Sequence, residues 1–353
     1  MFLKGGKVIK PNRLRPGDKV AIVSLSSGML GEKWAIHKLE IAKDRLTNEF
    51  GLKVKVMPNA LKGLKYLDEH PEARAKDLMD AFNDNTIKAI FNAVGGGDTI
   101  RLLPYIDFQV IKNNPKIFTG FSDTTINHFM LNKAGVVSYY GASVLNNWSE
   151  YIKINNYTLE SINNTFFHPK EMLEIKPSDM ESFAKDIVMW REENQNTQRK
   201  FYPNKLGYEV LNGKGKVVGE LLGGCIYTFI DMIGTPLWPD LKTWKNKILM
   251  IETSNNGKIL DVVKWILHNL EAQGVLSVVK GVIVGRHPYE DEVEEYKQII
   301  KKIILDEGKH TNLPIIYNVN FGHAEPIAVL PMGIKCELDC DRKRITLLEK
   351  PTN

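Results

Sequence analysis

With 43% hydrophobic and 25% charged side chains over 353 residues, the chain has an ordinary globular composition, which excludes disordered, collagenous and disulfide-scaffold classes. The net charge of +5 is the small difference between 47 basic and 42 acidic residues interspersed along the chain, so no basic arm points to nucleic acid. Three cysteines (Cys225, Cys336, Cys340) without zinc-type histidine spacing predict neither a disulfide framework nor a structural metal, and no apolar run approaches the roughly 18 residues that span a bilayer.

The expectation is a soluble cytoplasmic protein with no membrane partner, long enough for two domains. Short apolar runs at 19–25, 52–57, 88–94, 116–120 and 136–140 read as strands, with helix-period stretches at 32–50, 71–83, 98–105 and 123–133 between them. That alternation predicts a mostly parallel sheet covered on both faces, in a domain spanning 1–150. From 151 to 210 the periodicity fades into polar segments, which reads as a long connection that covers a site. A second, smaller α/β domain follows over 211–353. Its strands fall at 217–222, 247–252, 281–285 and 314–318, its helices at 225–233, 259–273 and 291–306, and a hairpin comes last.

Gly120-Phe121-Ser122-Asp123-Thr124 lies between a strand and a helix, which puts Ser122 on a sharp turn where its hydroxyl projects beside the free N–H groups of the new helix. A serine there needs a base, and an acid behind the base. Most of the eight histidines fall in helix-period or polar segments and read as surface or packing residues. His323 differs, because Phe321-Gly322-His323-Ala324 directly follows the buried-strand pattern Ile315 to Val319, and chemistry collects at the carboxyl ends of such strands. Glu252 ends the apolar run 247–251 and is placed to accept from an imidazole. The Gly95-Gly96-Gly97-Asp98-Thr99 loop brings backbone N–H groups close to a ligand but lacks the lysine and spacing of a nucleotide motif.

These motifs resemble the S66 serine peptidases, the group of LD-carboxypeptidases and microcin C7 self-immunity proteins. The likeness runs in order through Leu14-Arg15-Pro16-Gly17-Asp18, the 95–98 loop with Arg101 to Asp107, Gly120 to Asp123, and Tyr139-Tyr140-Gly141. It continues through Gly219-Glu220-Leu221-Leu222-Gly223-Gly224, Ile251-Glu252-Thr253-Ser254 and Phe321-Gly322-His323. The resemblance implies a flavodoxin-like N-terminal domain carrying the nucleophile Ser122, and a C-terminal domain carrying the acid Glu252 and the base His323. It further implies oxyanion donors at the N–H groups of Gly96 and Asp123, a homodimer, and no metal or organic cofactor. The substrate it implies is a small peptide or a peptidyl-nucleotide conjugate, with Trp190, Lys258 and Arg286 as substrate contacts. Two departures leave nucleotide recognition open: Cys225 stands where the microcin-immunity branch commonly has asparagine, and Asn255-Asn256-Gly257 precede Lys258. A murein LD-carboxypeptidase, a cysteine amidase using Cys225, a classical α/β-hydrolase and a ligand-binding module built on the 95–99 loop are the rival readings. The α/β-hydrolase elbow wants glycine where this chain has Thr124.

Overall fold

The computed structural model describes residues 8–254 and 259–353. Its first sheet runs Leu330–Met332, Ser138–Tyr140, Ile117–Gly120, Ile87–Asn92, Lys19–Val23, Lys53–Val56. The five strands from the first half of the chain pair in parallel, as βα alternation requires. The inner strands are buried almost throughout, so they read as continuous apolar runs rather than alternating ones. The sixth strand comes from the second half: Leu330–Met332 pairs antiparallel with Ser138–Tyr140, joining Leu330 to Tyr140 in register.

A second, eight-stranded sheet runs Leu173–Ile175, Arg344–Leu347, Lys335–Asp339, Lys216–Cys225, Lys247–Glu252, Gly281–Gly285, Ile315–Val319, Glu209–Asn212. Its four central strands are parallel and its flanks antiparallel. Both outermost strands come from the 151–210 connection or its border with the second domain, so part of that connection is sheet edge. Strands of three and four residues are too short for an alternating pattern to register. Helix Asn156–Ile162 also lies in this stretch, with Asn155 as its N-cap accepting from the Tyr157 N–H.

Other elements sit close to their expected bounds, helix Pro71–Asn83 with proline in its first turn among them. The segment expected as a helix over 98–105 is a 3₁₀ helix, Thr99–Tyr105, which accommodates Pro104 near its end. Cys225 is the last residue of a strand and not the first of a helix, since Lys216–Cys225 pairs with Lys247–Glu252 along its second half.

Candidate active site

The parallel strand Ile117–Gly120 delivers the chain through Phe121 into a 3₁₀ turn, Ser122–Thr124, and then into helix Thr125–Ala134. Ser122 has φ of 66°, a left-handed conformation that costs a residue with a Cβ roughly 1 kcal/mol or more. Its surroundings hold it there. The Ser122 N–H donates to the Tyr140 hydroxyl at 3.1 Å, and its carbonyl accepts from Thr125 Oγ1 at 2.6 Å. Gly95 packs directly against it. A Cβ on Gly95 would stand 2.5 Å from Ser122 Cβ and 2.8 Å from Oγ, so this close approach admits only glycine.

Behind the turn, His128 is fully buried, with Nε2 2.9 Å from the Gly120 carbonyl and Nδ1 2.8 Å from Ser138 Oγ. A carbonyl only accepts, so Nε2 carries the proton and Nδ1 accepts from the serine. Burial pushes the imidazole down to about 4. The unfolded state therefore binds the extra proton first: stability is complete above about pH 6.5 and is lost as pH falls toward 4, by about 3 kcal/mol. Urea unfolding at pH 7 and pH 4.5 should show this loss. In His128→Gln the component should vanish, and an unchanged pH dependence would contradict the assignment.

The glycine loop is tied to the same turn. Asp123 is buried, and its Oδ2 accepts from both the Thr99 N–H and the Thr99 hydroxyl, so the segment carrying Gly96 and the turn carrying Asp123 move together. Burial pushes the Asp123 carboxyl up, and the Thr99 hydrogen bonds oppose that shift.

The second sheet supplies the other side. Strand Lys247–Glu252 is buried along its length and ends at Glu252, which has no exposed surface. Its two oxygens divide their work: Oε1 accepts from the Tyr140 hydroxyl at 2.5 Å, and Oε2 lies 2.8 Å from His323 Nδ1. Burial, and then the Glu252 charge, raise the Tyr140 phenol well above its ordinary value, so it stays protonated as a donor. Tyr140 thereby links the Ser122 backbone to Glu252 across the two sheets. The His323 ring stands edge-on to Phe121 at 5.1 Å between centroids. Among the described residues Ser122 Oγ makes no hydrogen bond, and contacts of this kind commonly tighten only in the substrate complex.

The loop carrying His323 is anchored at several points. The Asn320 carbonyl accepts from the Ala328 N–H at 2.6 Å, Asn320 Nδ2 donates to the Pro326 carbonyl, and Asn147 Nδ2 donates to Glu325 Oε1 at 2.7 Å. Gly322 has φ of 93°, and a Cβ there would lie 2.4 Å from Glu252 Oε2. Gly322→Ala is thus expected to push the carboxylate off His323 and to lower kcat at least about tenfold, on top of backbone strain of about 1 kcal/mol. Steady-state kinetics with a melting curve separates the two effects, and wild-type kcat in a folded variant would contradict this placement.

Cys225 pairs in register with Glu252 and is 2% exposed; its N–H donates to Thr125 Oγ1 at 3.1 Å. Burial, and then the neighbouring Glu252 charge, push its thiol well up, which disfavours the thiolate a cysteine nucleophile needs. Cys225→Ser should retain turnover within about threefold. Lost turnover at unchanged stability would instead identify a thiol enzyme.

The remaining sequence-derived contacts are bonded to other groups or lie outside the description. Trp190 stacks on Trp34 at 6.3 Å, with the Lys38 ammonium 5.5 Å from its ring. Arg286 is 2% exposed, with Nε donating to Asn318 Oδ1 at 2.7 Å and the Glu181 carboxylate at 3.5 Å. Neither makes a hydrogen bond, ion pair or ring contact with Ser122, Glu252 or His323. Lys258 lies outside the described residues. Parts of the 171–208 stretch pack onto the loops beyond the second sheet: the Ser182 N–H donates to the Glu325 carbonyl, the Ala184 N–H to that of Pro288, and the Ser178 N–H to Asn320 Oδ1. A cavity of about 920 Å³ opens beneath it, lined by Tyr157, Ser178, Arg199, Phe201 and Glu325, and Ser122, Glu252 and His323 are not in its wall.

Tyr140 and Thr125 are the site residues that motif reading did not assign. Both are hydroxyl side chains at an element end beside the turn, a position that marked Ser122 and applies equally to them.

Two sheets in a mixed α/β fold, one leading into a strained serine turn and the other ending beside a glutamate–histidine pair, bring these groups together through Tyr140. The chain belongs to the peptidase S66 family: residues 20–141 match the LD-carboxypeptidase N-terminal domain, and residues 218–338 match the LD-carboxypeptidase C-terminal domain. The protein named "Putative carboxypeptidase" in Treponema pallidum (strain Nichols) is 32% identical over 350 residues, 97% of this chain and 96% of its own. The microcin C7 self-immunity protein MccF of Escherichia coli is 27% identical over 286 residues, covering 78% of each chain. Among solved structures, the MccF-like protein from Streptococcus pneumoniae in complex with AMP superposes with a TM-score of 0.86 at 34% identity, covering 94% of this chain and 98% of that one.

Proposed function

We propose that the protein is a cytoplasmic, homodimeric serine-type amide hydrolase with Ser122 as nucleophile, His323 as base and Glu252 as the acid that orients the base. Its substrate is a small peptide or a peptidyl- or aminoacyl-nucleotide conjugate, cleaved at an amide near the C-terminus. The observation that carries this reading is the left-handed Ser122 turn joined through the Tyr140 hydroxyl to a buried Glu252 that holds His323 at 2.8 Å.

In the reaction, His323 takes the proton of Ser122 Oγ as the oxygen attacks the amide carbonyl. Glu252 fixes the N–H of the imidazole on Nδ1, leaves Nε2 free as the base, and stabilises the imidazolium that forms. The N–H groups of Asp123 and Gly96 receive the tetrahedral oxyanion, an interaction worth roughly 3 to 4 kcal/mol per donor in comparable sites. Collapse expels the amine, which collects the proton from His323, and water attacks the acyl-enzyme by the same route in reverse.

Two substrate classes fit this chemistry, and each has support. A nucleotide conjugate is favoured by the 34%-identical Streptococcus pneumoniae protein, whose structure is described with AMP. On that reading the aromatic pair Trp34–Trp190 offers a face for a base. A murein tetrapeptide is favoured by the LD-carboxypeptidase description of both matching domains. Offering the purified protein a murein tetrapeptide and an aminoacyl sulfamoyl-adenosine side by side, with product masses recorded, decides between them. The proposal expects cleavage of the nucleotide conjugate; cleavage of the tetrapeptide alone would move the protein to the carboxypeptidase class, and cleavage of neither would count against amide hydrolysis.

A further inference from the structure

We infer that Cys225, Glu252 and His323 form a binding site for a zinc-type divalent ion, and that occupation of this site switches the hydrolytic centre off. The thiol sulfur, one carboxylate oxygen and one ring nitrogen lie within 4.8 Å of one another. A tetrahedral zinc site has ligand-to-ligand edges of about 3.5 Å, so the three groups need to close by roughly an ångström, within reach of side-chain torsions.

The donor set is selective. Thiolate, imidazole and carboxylate together suit zinc and its neighbours, whereas magnesium and calcium demand oxygen ligands. Position favours the same three groups. Cys225 and Glu252 are register partners at the ends of adjacent parallel strands, so their backbones are fixed relative to each other. The Tyr140 hydroxyl already holds Glu252 Oε1, which orients the carboxylate and leaves Oε2 for the ion, as a supporting hydrogen bond does in established metal sites. The His323 side chain, 8% exposed, stands at the solvent side of the cluster, and the ion enters past it.

Three protein ligands leave a fourth position for water. On binding, the Cys225 proton leaves to solvent, the carboxylate contributes as it stands, and the imidazole binds either through Nε2 with its proton kept on Nδ1 or through Nδ1 after that proton has moved to Nε2. The ion then occupies the lone pair or the carboxylate contact on which the base depends. The coordination is independent of the proposed reaction; its inhibitory consequence rests on His323 acting as the base.

The test uses the full-length protein with CoCl₂ and ZnCl₂ as probes. Wild type is expected to bind one cobalt ion per chain, with thiolate-to-cobalt charge-transfer absorption that zinc displaces. Cys225→Ala, which keeps Cys336 and Cys340, should lose that absorption, and Cys225→Ser with a melting curve checks that the fold survives. Zinc should inhibit wild-type hydrolysis reversibly by chelator, magnesium should not, and Cys225→Ala should raise the half-inhibiting zinc concentration at least about tenfold. No thiolate absorption in wild type, or an equal signal in Cys225→Ala, would overturn the site. If the absorption appears and turnover continues with the ion bound, the coordination stands and the reading of His323 as base falls.

Discussion

Ser122→Ala should lower kcat by a factor on the order of 10⁴ to 10⁶ while leaving the melting temperature within a few degrees of wild type. The size follows from the role proposed for the hydroxyl: without it no acyl-enzyme would form, and only the oxyanion donors and substrate binding would remain to accelerate direct attack by water. The small stability change follows from local geometry. Ser122 is held through its backbone, by Tyr140 and Thr125, and alanine keeps both contacts at a similar left-handed cost. The check is steady-state kinetics on a substrate cleaved by wild type, beside thermal unfolding. Turnover within tenfold of wild type would remove Ser122 from the chemistry.

Glu252→Gln carries the second large effect, a fall in kcat on the order of 10⁴-fold. Glutamine can still accept from the Tyr140 hydroxyl, but it then turns an amide NH₂ toward His323 Nδ1. The imidazole answers by placing its proton on Nε2, the nitrogen that must be bare to take the Ser122 proton. Glu252→Ala should lose a similar factor and also cost about 1 to 3 kcal/mol, because a buried phenol donor and a ring N–H are left without an acceptor. Near-wild-type kcat in folded Glu252→Gln would show that the pair is structural.

The placement of Ser122, Glu252 and His323 at or just beyond strand ends was legible in the sequence because the apolar runs that precede them are long enough to recognise. Tyr140 was harder to see. Its strand was read at 136–140, but its role depends on a contact with Glu252 more than a hundred residues away, which no local pattern encodes. The same limit hid strand Leu330–Met332, which leaves its own half of the chain to complete the first sheet beside Tyr140. The two halves are consequently joined by backbone pairing at the strand that carries the bridging hydroxyl. The 151–210 stretch lost its periodicity because its strands are so short, and its position is set by the edge pairing of Leu173–Ile175 with Arg344–Leu347 together with hydrogen bonds to the loops around Asn320 and Glu325. Cys225 could be placed beside Glu252 only once the register of their strands was known.

The central claim is that Ser122 forms the covalent bond to the acyl group, and the most direct measurement is mass mapping of the protein after treatment with a serine-directed phosphonate. The account predicts one adduct, on Ser122, formed at a rate that falls at least about a hundredfold in His323→Ala. An adduct on Cys225, or full labelling of Ser122 at an undiminished rate without His323, would contradict it.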